Sequence, residues 1–225
     1  MKTLPTKFKG INTLGLFGYI TDEYGLVGYE VPEKTIEQYE DVFDIPIHKV
    51  TIAGTGMVGA FINGDGEKII VPSTTFQNEK DRLEELDIEF HVIETTLTCL
   101  GNNMIVGEDT IILNPEYDEK EIEQLQTIFD KDIVRKQYAK TNTIGNMIVS
   151  DSSYEKGLIS NEVTEDEYED IQELLDIDLT PGSVNMGSPY VKTGILVNKN
   201  GMAIGEMSGG PEITNAERAL GFVDY

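Results

Sequence analysis

The sequence predicts an α/β fold: five β-β-α-β units in a pseudo-five-fold propeller, hairpins inside and helices outside. Three observations carry this. A glycine preceded by an apolar residue recurs at near-constant spacing, a second short apolar run follows each recurrence, and one apolar helical stripe repeats behind the runs. Self-similarity at a period of 20–50 residues is the mark of a repeat architecture.

The glycine steps are Leu14-Gly15-Leu16-Phe17, Val58-Gly59-Ala60-Phe61, Leu100-Gly101-Asn102-Asn103, Ile144-Gly145-Asn146-Met147 and Thr193-Gly194-Ile195-Leu196. They are separated by 44, 42, 44 and 49 residues. Each reads as the entry to a first strand. The second runs are Gly25-Leu26-Val27, Ile69-Ile70-Val71, Ile111-Ile112-Leu113, Gly157-Leu158-Ile159 and Met202-Ala203-Ile204. Turn residues lie between the runs, including Asn63-Gly64 and Asn200-Gly201. Asn-Gly supplies the positive φ of a tight hairpin turn, so each unit is expected to open as a β-hairpin.

Pro32, Pro72, Pro115 and Pro211 follow the hairpins, with Glu33, Glu116 and Glu212 directly behind three of them. Proline suits the first helical position and glutamate the positive end of the helix dipole, so helices are expected to begin there. The helical stripes are Ile36, Tyr39, Val42, Phe43; Ile122, Leu125, Ile128, Phe129; Tyr168, Ile171, Leu174, Leu175; and Ile213, Ala216, Ala219, Leu220. Offsets of three, six and seven place each set on one face. The second unit keeps only Phe76, Leu83 and Leu86 at usable spacing. Asp-Ile and a third strand then follow at Asp44-Ile45, Asp87-Ile88, Asp132-Ile133 and Asp176-Ile177. The strand is clearest in Ile45–Val50 and Ile88–Ile93, which carry His48 and His91 in similar places.

The fifth unit runs to Tyr225 without a third strand. The segment around Phe8 is expected to supply it, tying the two ends of the chain together. A lone β-β-α-β unit cannot bury its stripe. A solenoid would need polar end units, and these are not visibly polar, so closure into a ring is expected. The chain then reads as one domain of five repeats, approximately 8–50, 51–94, 95–137, 138–182 and 183–225.

Asp plus Glu number 41 against 17 Lys plus Arg, a net charge of −24. Such a surface repels nucleic acid over most of its area and fits basic protein partners; a purely solubilising role is the equal alternative. Much of the acid falls on the outer helical faces, as in Glu165-Asp166-Glu167 and Glu169-Asp170, where solvent exposure rather than metal binding is expected. One cysteine, Cys99, allows no intrachain disulfide and fits a reducing compartment. The first residues hold no apolar leader and no run reaches membrane-spanning length, so a cytoplasmic protein is expected.

No catalytic constellation stands out. Ser-His-Asp order, CxxC, HExxH, Walker glycines and the EF-hand ligand order are absent from the sequence. The two histidines read as structural and Cys99 as a small core residue, and no cofactor or metal is expected. Lys131, Arg135, Lys136 and Lys140 gather where units three and four meet. They fit either a local RNA-phosphate contact or pairing with neighbouring acids. In a ring, the positions after the glycine share one face. They are Leu16, Ala60, Asn102, Asn146 and Ile195, then Phe17, Phe61, Asn103, Met147 and Leu196. Asparagine there fits an uncharged contact, which donates and accepts, or turn support.

Four segments, Ile52-Ala53-Gly54, Leu100-Gly101-Asn102, Ile112-Leu113-Asn114-Pro115 and Gly182-Ser183-Val184-Asn185-Met186-Gly187-Ser188, resemble the archaeal translation initiation factor 6 family. The resemblance covers essentially the whole chain. It implies the pentein fold, a five-bladed α/β ring, in agreement with the repeat count. It implies no enzymatic activity and a monomer that binds the large ribosomal subunit on its intersubunit side. There the family meets a basic ribosomal protein near the sarcin–ricin RNA loop, blocks joining of the small subunit, and takes part in late subunit maturation. Release involves a translocation GTPase and the Shwachman–Bodian–Diamond protein. The family contact face includes the asparagine matched by Asn102. With the ring register, the contact residues expected are Phe61, Asn102, Asn103, Asn146, Met147 and Lys140. Met147 stands where animal members tend to carry an aromatic and Met186 where they tend to carry Arg, and the long eukaryotic C-terminal tail has no counterpart here. The alternatives are a guanidine-modifying pentein enzyme, which needs a catalytic Cys, His and acid, and an acidic nucleic-acid mimic.

Overall fold

A computed structural model describes residues 2–223; Met1, Asp224 and Tyr225 lie outside them, and with them the expected end of unit five. The chain opens with β1 (Lys2–Thr6). Unit one follows as α1 (Leu14–Phe17), β2 (Gly18–Ile20), β3 (Gly25–Gly28), α2 (Glu33–Phe43) and β4 (Ile47–Val50). Unit two is α3 (Val58–Phe61), β5 (Asn63–Gly64), β6 (Ile69–Pro72), α4 (Gln77–Glu85) and β7 (Phe90–Ile93). Unit three is α5 (Leu100–Asn103), β8 (Met104–Val106), β9 (Thr110–Leu113), α6 (Glu119–Phe129) and β10 (Asp132–Arg135). Unit four has a 3-10 turn (Ile144–Asn146), β11 (Ile148–Ser150), β12 (Lys156–Ser160), α7 (Glu165–Leu175) and β13 (Asp178–Gly182). Unit five has α8 (Val191–Gly194), β14 (Ile195–Asn198), β15 (Gly201–Gly205) and α9 (Gly210–Ala219).

Among the described residues the strands form five three-stranded sheets, the pseudo-five-fold pentein arrangement. In each, the first two strands are an antiparallel hairpin and the third adds in parallel; in unit one Gly18 pairs with Val27 and Gly25 with Ile47. The fifth sheet takes its third strand from the other end of the chain. β1 pairs in parallel with β15 from Lys2↔Gly201 to Thr6↔Gly205. The donated strand thus ends before Phe8, which forms a bridge with Ile11 and packs edge-on against Phe17 at 5.4 Å. Third strands are sheet edges, which is why Pro5 in β1 and Pro181 in β13 are accommodated.

Each helical stripe is buried between its own sheet and the preceding one. Around α2, the stripe residues Ile36, Tyr39, Val42 and Phe43 join Val27 and Ile47 with Leu196 and Ala203 of unit five. Leu83 of α4 packs with Leu26 and Val50 of unit one. Leu125 and Phe129 of α6 meet Ile70 and Ile93 of unit two. Ile171 and Leu175 of α7 meet Ile105 and Ile112 of unit three. Ala216 and Leu220 meet Val149 and Leu158 of unit four. Each fully buried aliphatic or aromatic side chain contributes roughly 1.5–3 kcal/mol, and no unit can collect that sum without its neighbour. Each long helix then ends in a left-handed residue: Asp44, Asp87, Asp130, Asp176 and Gly221, with φ between 50° and 71°. Aspartate and glycine tolerate that conformation. In unit three this residue is Asp130, two before the expected Asp132, which begins β10.

Three further expectations are corrected. The glycine steps do not enter strands directly; turns of helix come first, four residues long except for the three-residue 3-10 turn of unit four, and in unit five the register differs. There α8 carries Val191-Lys192-Thr193-Gly194 where α1 carries Leu14-Gly15-Leu16-Phe17, so Lys192, not Gly194, is the counterpart of Gly15. Asn63-Gly64 lies in β5 rather than in a turn; Asn63 is buried and its amide donates to the Met104 carbonyl at 2.9 Å. The tight turn is one step later, at Gly66 with φ 95°. Asn200-Gly201 also has no positive φ; its amides bond the Asn198 side chain at 3.0 and 3.2 Å. Of the prolines, only Pro211 sits in a first helical turn. Pro32 is the residue before α2, Pro72 ends β6, and Pro115 lies ahead of α6, which Asp118 caps.

At the axis the short helices meet backbone to backbone. A Cβ on Gly59 would lie 2.0 Å from the Gly15 carbonyl oxygen, and one on Gly101 2.1 Å from that of Gly59. Gly145 stands in the same relation to Gly101 at 2.3 Å, and Gly15 to Lys192 at 2.0 Å. These contacts leave no room for a side chain. Gly101→Ala is expected to lower the melting temperature steeply or prevent folding. Gly210→Ala, where nothing lies within 4 Å, should stay within about 0.5 kcal/mol of the parent. Deleting the first ten residues strips β15 of its partner and removes Phe8, and should lower the melting temperature by at least ~10 °C.

Candidate functional site

One end of the ring is built from tight turns that lead into the short helices. Pairs of left-handed residues form their tips: Lys9-Gly10, Ala53-Gly54, Ala139-Lys140 and Asn185-Met186. Flanking bridges close them: Phe8↔Ile11, Ile52↔Thr55, Tyr138↔Thr141 and Val184↔Ser188. Two successive positive φ values make the turn type that fits a twisted hairpin. Two of the segments that carried the family resemblance, around Ala53-Gly54 and Asn185-Met186, are therefore the same device in two units.

A glutamate in the first turn of the long helix holds three of these tips. Glu79 accepts the Gly54 amide at 2.9 Å and Glu167 the Ala139 amide at 3.0 Å. Glu212 accepts the Gly187 and Met186 amides at 2.8 and 3.1 Å and the Ser183 hydroxyl at 2.8 Å. The same carboxylates accept the amides of Phe76, Thr164 and Gly209 at their own helix entrances. Each therefore caps a helix and fixes a turn together. Burial pushes the Glu212 carboxyl up, but the hydrogen bonds from Gly187, Gly209, Ser183 and Met186 outweigh it and hold it below the usual range.

Large apolar side chains are exposed on this end. Met186 is 76% exposed at a turn tip, and Phe76, 56% exposed, lies over Gly54. Met57 and Tyr190 stand at the entrances of α3 and α8. Contiguous exposed apolar surface marks an interaction site. Phe76 was expected in the buried stripe of unit two, but it precedes α4 and stands exposed. Met186 was singled out only by the family resemblance, and Met57 and Tyr190 had no signal beyond the repeated turn itself.

The six expected contact residues divide. Asn102 and Asn146 are half-exposed at the third position of their short helical turns, which pack side by side. The Asn102 Oδ1 is buried with no hydrogen-bond partner. Phe61 is half-exposed at the end of α3, and Lys140 is exposed at a turn tip. The structure buries the other two. Asn103, 6% exposed, donates to the Cys99 carbonyl at 2.9 Å and accepts from the Asn114 amide at 2.8 Å. Met147, 2% exposed, lies in the core between units three and four. Residues three apart on a helical turn share a face, so Asn103 follows buried Leu100 inward and Met147 follows Ile144. Neither side chain is available to a partner.

Of the basic cluster, three members are engaged within the chain. Arg135 pairs with Glu119 at 2.7 Å and bonds the Tyr117 carbonyl. Lys136 pairs with Asp170 at 2.6 Å, and Lys131 donates to the Gly107 and Glu108 carbonyls. Burial raises the Asp170 carboxyl, but the hydrogen bonds of Lys136 and Tyr138 outweigh it and hold it low. Pairing with neighbouring acids, the second of the two readings, describes Arg135 and Lys136, whereas Lys131 bonds backbone carbonyls.

Cys99 is half-buried at the entrance of α5, and burial pushes its thiol up, partly offset by a hydrogen bond from Thr98. A thiolate is the nucleophilic form, so this site disfavours it. His48 and His91 lie at matching positions on β4 and β7, the third strands of their sheets, and burial with nearby Arg82 lowers His48. The three residues occupy separate elements. Among the described residues no three His, Cys, Asp or Glu side chains gather as a metal would require, and no helix is long and apolar enough to cross a membrane.

Because the folded Glu212 carboxyl titrates below its unfolded value of about 4.3, its contribution is full above that pH and is lost as pH falls through the folded value. Glu212→Gln is therefore expected to cost about 1 kcal/mol at neutral pH. Urea unfolding should show the gap closing toward pH ~3; a gap that stays constant over that range would remove the charge from the cap.

Comparison with known proteins places this architecture. The family model described as "eIF-6 family" matches residues 3–219. Translation initiation factor 6 of Thermococcus onnurineus is 29% identical over 224 residues, covering 96% of this chain and 97% of that protein. The proteins of the same name from Pyrococcus horikoshii and Methanococcus maripaludis are each 28% identical, over 223 and 230 residues, covering 96% and 98% of this chain and 97% and 99% of theirs. Among solved structures, the N-terminal domain of an ArgZ variant, covalently bound to a reaction intermediate, superposes with a TM-score of 0.51 at 12% identity. That match covers 85% of this chain and 72% of the other and shows the shared fold alone. With the family model matched from the first strand to the last helix, the chain belongs to the eIF-6 family.

Proposed function

We propose that this protein is a cytoplasmic translation factor that binds the large ribosomal subunit at its intersubunit face and blocks joining of the small subunit by its bulk. The observation that carries this is the family match over residues 3–219, a range that takes in all five units of the ring. The relatives are named as initiation factors rather than enzymes. Large-subunit maturation belongs to the same proposal, with a monomer as the acting form.

The turn end of the ring, around units three and four, is the proposed contact face. Asn102, Asn146, Phe61 and Lys140 are the side chains available on it. Asn102 keeps part of its side chain exposed on that face, although its Oδ1 is buried. Exposed Met186 and Tyr190 of unit five and Phe76 of unit two add apolar area elsewhere on the turn end. The net charge of −24 favours a basic ribosomal protein near the sarcin–ricin loop over bare RNA, and repels the RNA of the small subunit. The guanidine-modifying alternative would need a thiolate beside a base, and the placement of Cys99, His48 and His91 works against it.

Sedimentation with purified archaeal subunits tests the proposal. Comigration with the large subunit and fewer joined ribosomes are expected; comigration with the small subunit alone refutes it. Asn102→Asp should weaken large-subunit binding about tenfold with an unchanged circular dichroism spectrum. Equal binding by that variant removes Asn102 from the contact face.

A further inference from the structure

The ring encloses an axial cavity of about 490 Å³ that opens at the hairpin end, away from the proposed docking face. Its walls are the innermost strands, with Ile105, Ile148 and Leu196 among the apolar lining. Its floor holds Gly15, Gly145 and Lys192. Lys192 stands where the other units place glycine, and it is the lysine that reaches across the axis. Its ammonium donates to the carbonyl of Gly101, 91 residues away in sequence, at 3.3 Å. Among the described residues it makes no other hydrogen bond and no ion pair, although an ammonium carries three donors. Lys192 is half-buried and lines the cavity, and burial pushes its pKa down to about 8. At neutral pH it is therefore a half-buried cation on the cavity wall with donors that no group among the described residues uses.

The mouth has the opposite sign. Asp22, Asp65 and Asp151 lie in the hairpin turns that line it, joined by Glu23 and Glu67. Asp22 accepts the Lys199 amide and pairs with the Lys199 ammonium at 3.8 Å, whereas Asp65 and Asp151 accept only amide and hydroxyl hydrogen bonds among the described residues and keep their charge. A multiply charged anion is repelled at the entrance, and a simple cation meets Lys192 at the floor. A molecule with both charges matches both ends. β14, four residues long, separates the levels of floor and mouth, a rise of roughly 10 Å. The volume falls in the range of small-molecule sites.

We propose that the axial cavity is a binding site for a small zwitterion of the ω-amino acid class, its carboxylate on the Lys192 ammonium and its ammonium among Asp22, Asp65 and Asp151. The site is independent of ribosome docking and is tested on the free protein.

The probes are 6-aminohexanoate, hexanoate and hexylamine, titrated into the full chain and followed by amide chemical shifts and thermal unfolding. Saturable shifts at the Gly15 and Gly145 amides with 6-aminohexanoate, weaker ones with hexanoate and none with hexylamine are expected. Lys192→Met, which replaces a buried charge by an apolar chain of similar length, should fold and bind roughly ten- to a hundredfold more weakly. Asp65→Asn keeps the turn acceptor and should weaken the zwitterion but not hexanoate. The proposal is overturned by the absence of saturable shifts at the floor, by hexylamine binding as well as the zwitterion, or by Lys192→Met binding unchanged. The shift data on the parent protein decide the matter even if that variant does not fold.

Discussion

The structure depends on how closely its short helices approach at the axis. Carbonyl oxygens of one unit sit where the next unit's side chain would begin, so the units stand as near as backbones can. That distance sets the spacing of the sheets around the axis, and the spacing decides how far each long helix must reach to cover two sheets at once. A larger residue at the axis would therefore be felt at the rim, through five cores that each draw on two units. Lys192 is the one departure in this circle; it lines the cavity, and its ammonium reaches across the axis to the Gly101 backbone carbonyl.

The same geometry explains the distribution of charge. A helix wedged between two sheets has one buried stripe and a wide solvent face, and the acidic residues occupy that face. The glutamates of the first helical turns are different. Glu79 and Glu121 are buried, and with Glu167 and Glu212 they serve the backbone of helix entrances and turn tips. Part of the acidity is thus structural, while the rest shapes the field around the ring.

The repeat count, the hairpins, the helical stripes and the closing strand were legible in the sequence because each rests on a periodic apolar pattern. The short helices were not. Four residues such as Leu14-Gly15-Leu16-Phe17 are too few to show a period, and they run straight into a strand. The true fifth counterpart, Lys192, was hidden by Gly194 two positions later, a glycine that closes α8 instead of facing the axis. Asn63-Gly64 looked like a turn because composition cannot say which side of the real turn a pair falls on. On the candidate face, the ring register identified the right turns but could not tell Asn102 from Asn103. Adjacent residues on a helical turn point about 100° apart, and only the fold decides which one meets solvent. Phe76 sat at stripe spacing in the sequence yet stands exposed ahead of α4, because spacing cannot say where the helix begins, and Tyr190 had no signal beyond the turn that carries it.

The pairing of β1 with β15 has a further consequence for how the protein is made. Lys2 meets Gly201, a separation of 201 − 2 = 199 residues, so the first strand to leave a ribosome is the last to find its partner. The cores of units two to five can form in order as they emerge, since each needs only its own and the preceding sheet. The core beneath α2 cannot, because it needs Leu196 and Ala203 from the end of the chain. Until synthesis is nearly complete, β1 and the stripe of α2 stay uncovered, and closure of so distant a contact is intrinsically slow. The nascent chain is an open arc with two sticky ends, and becomes a ring in a single late step.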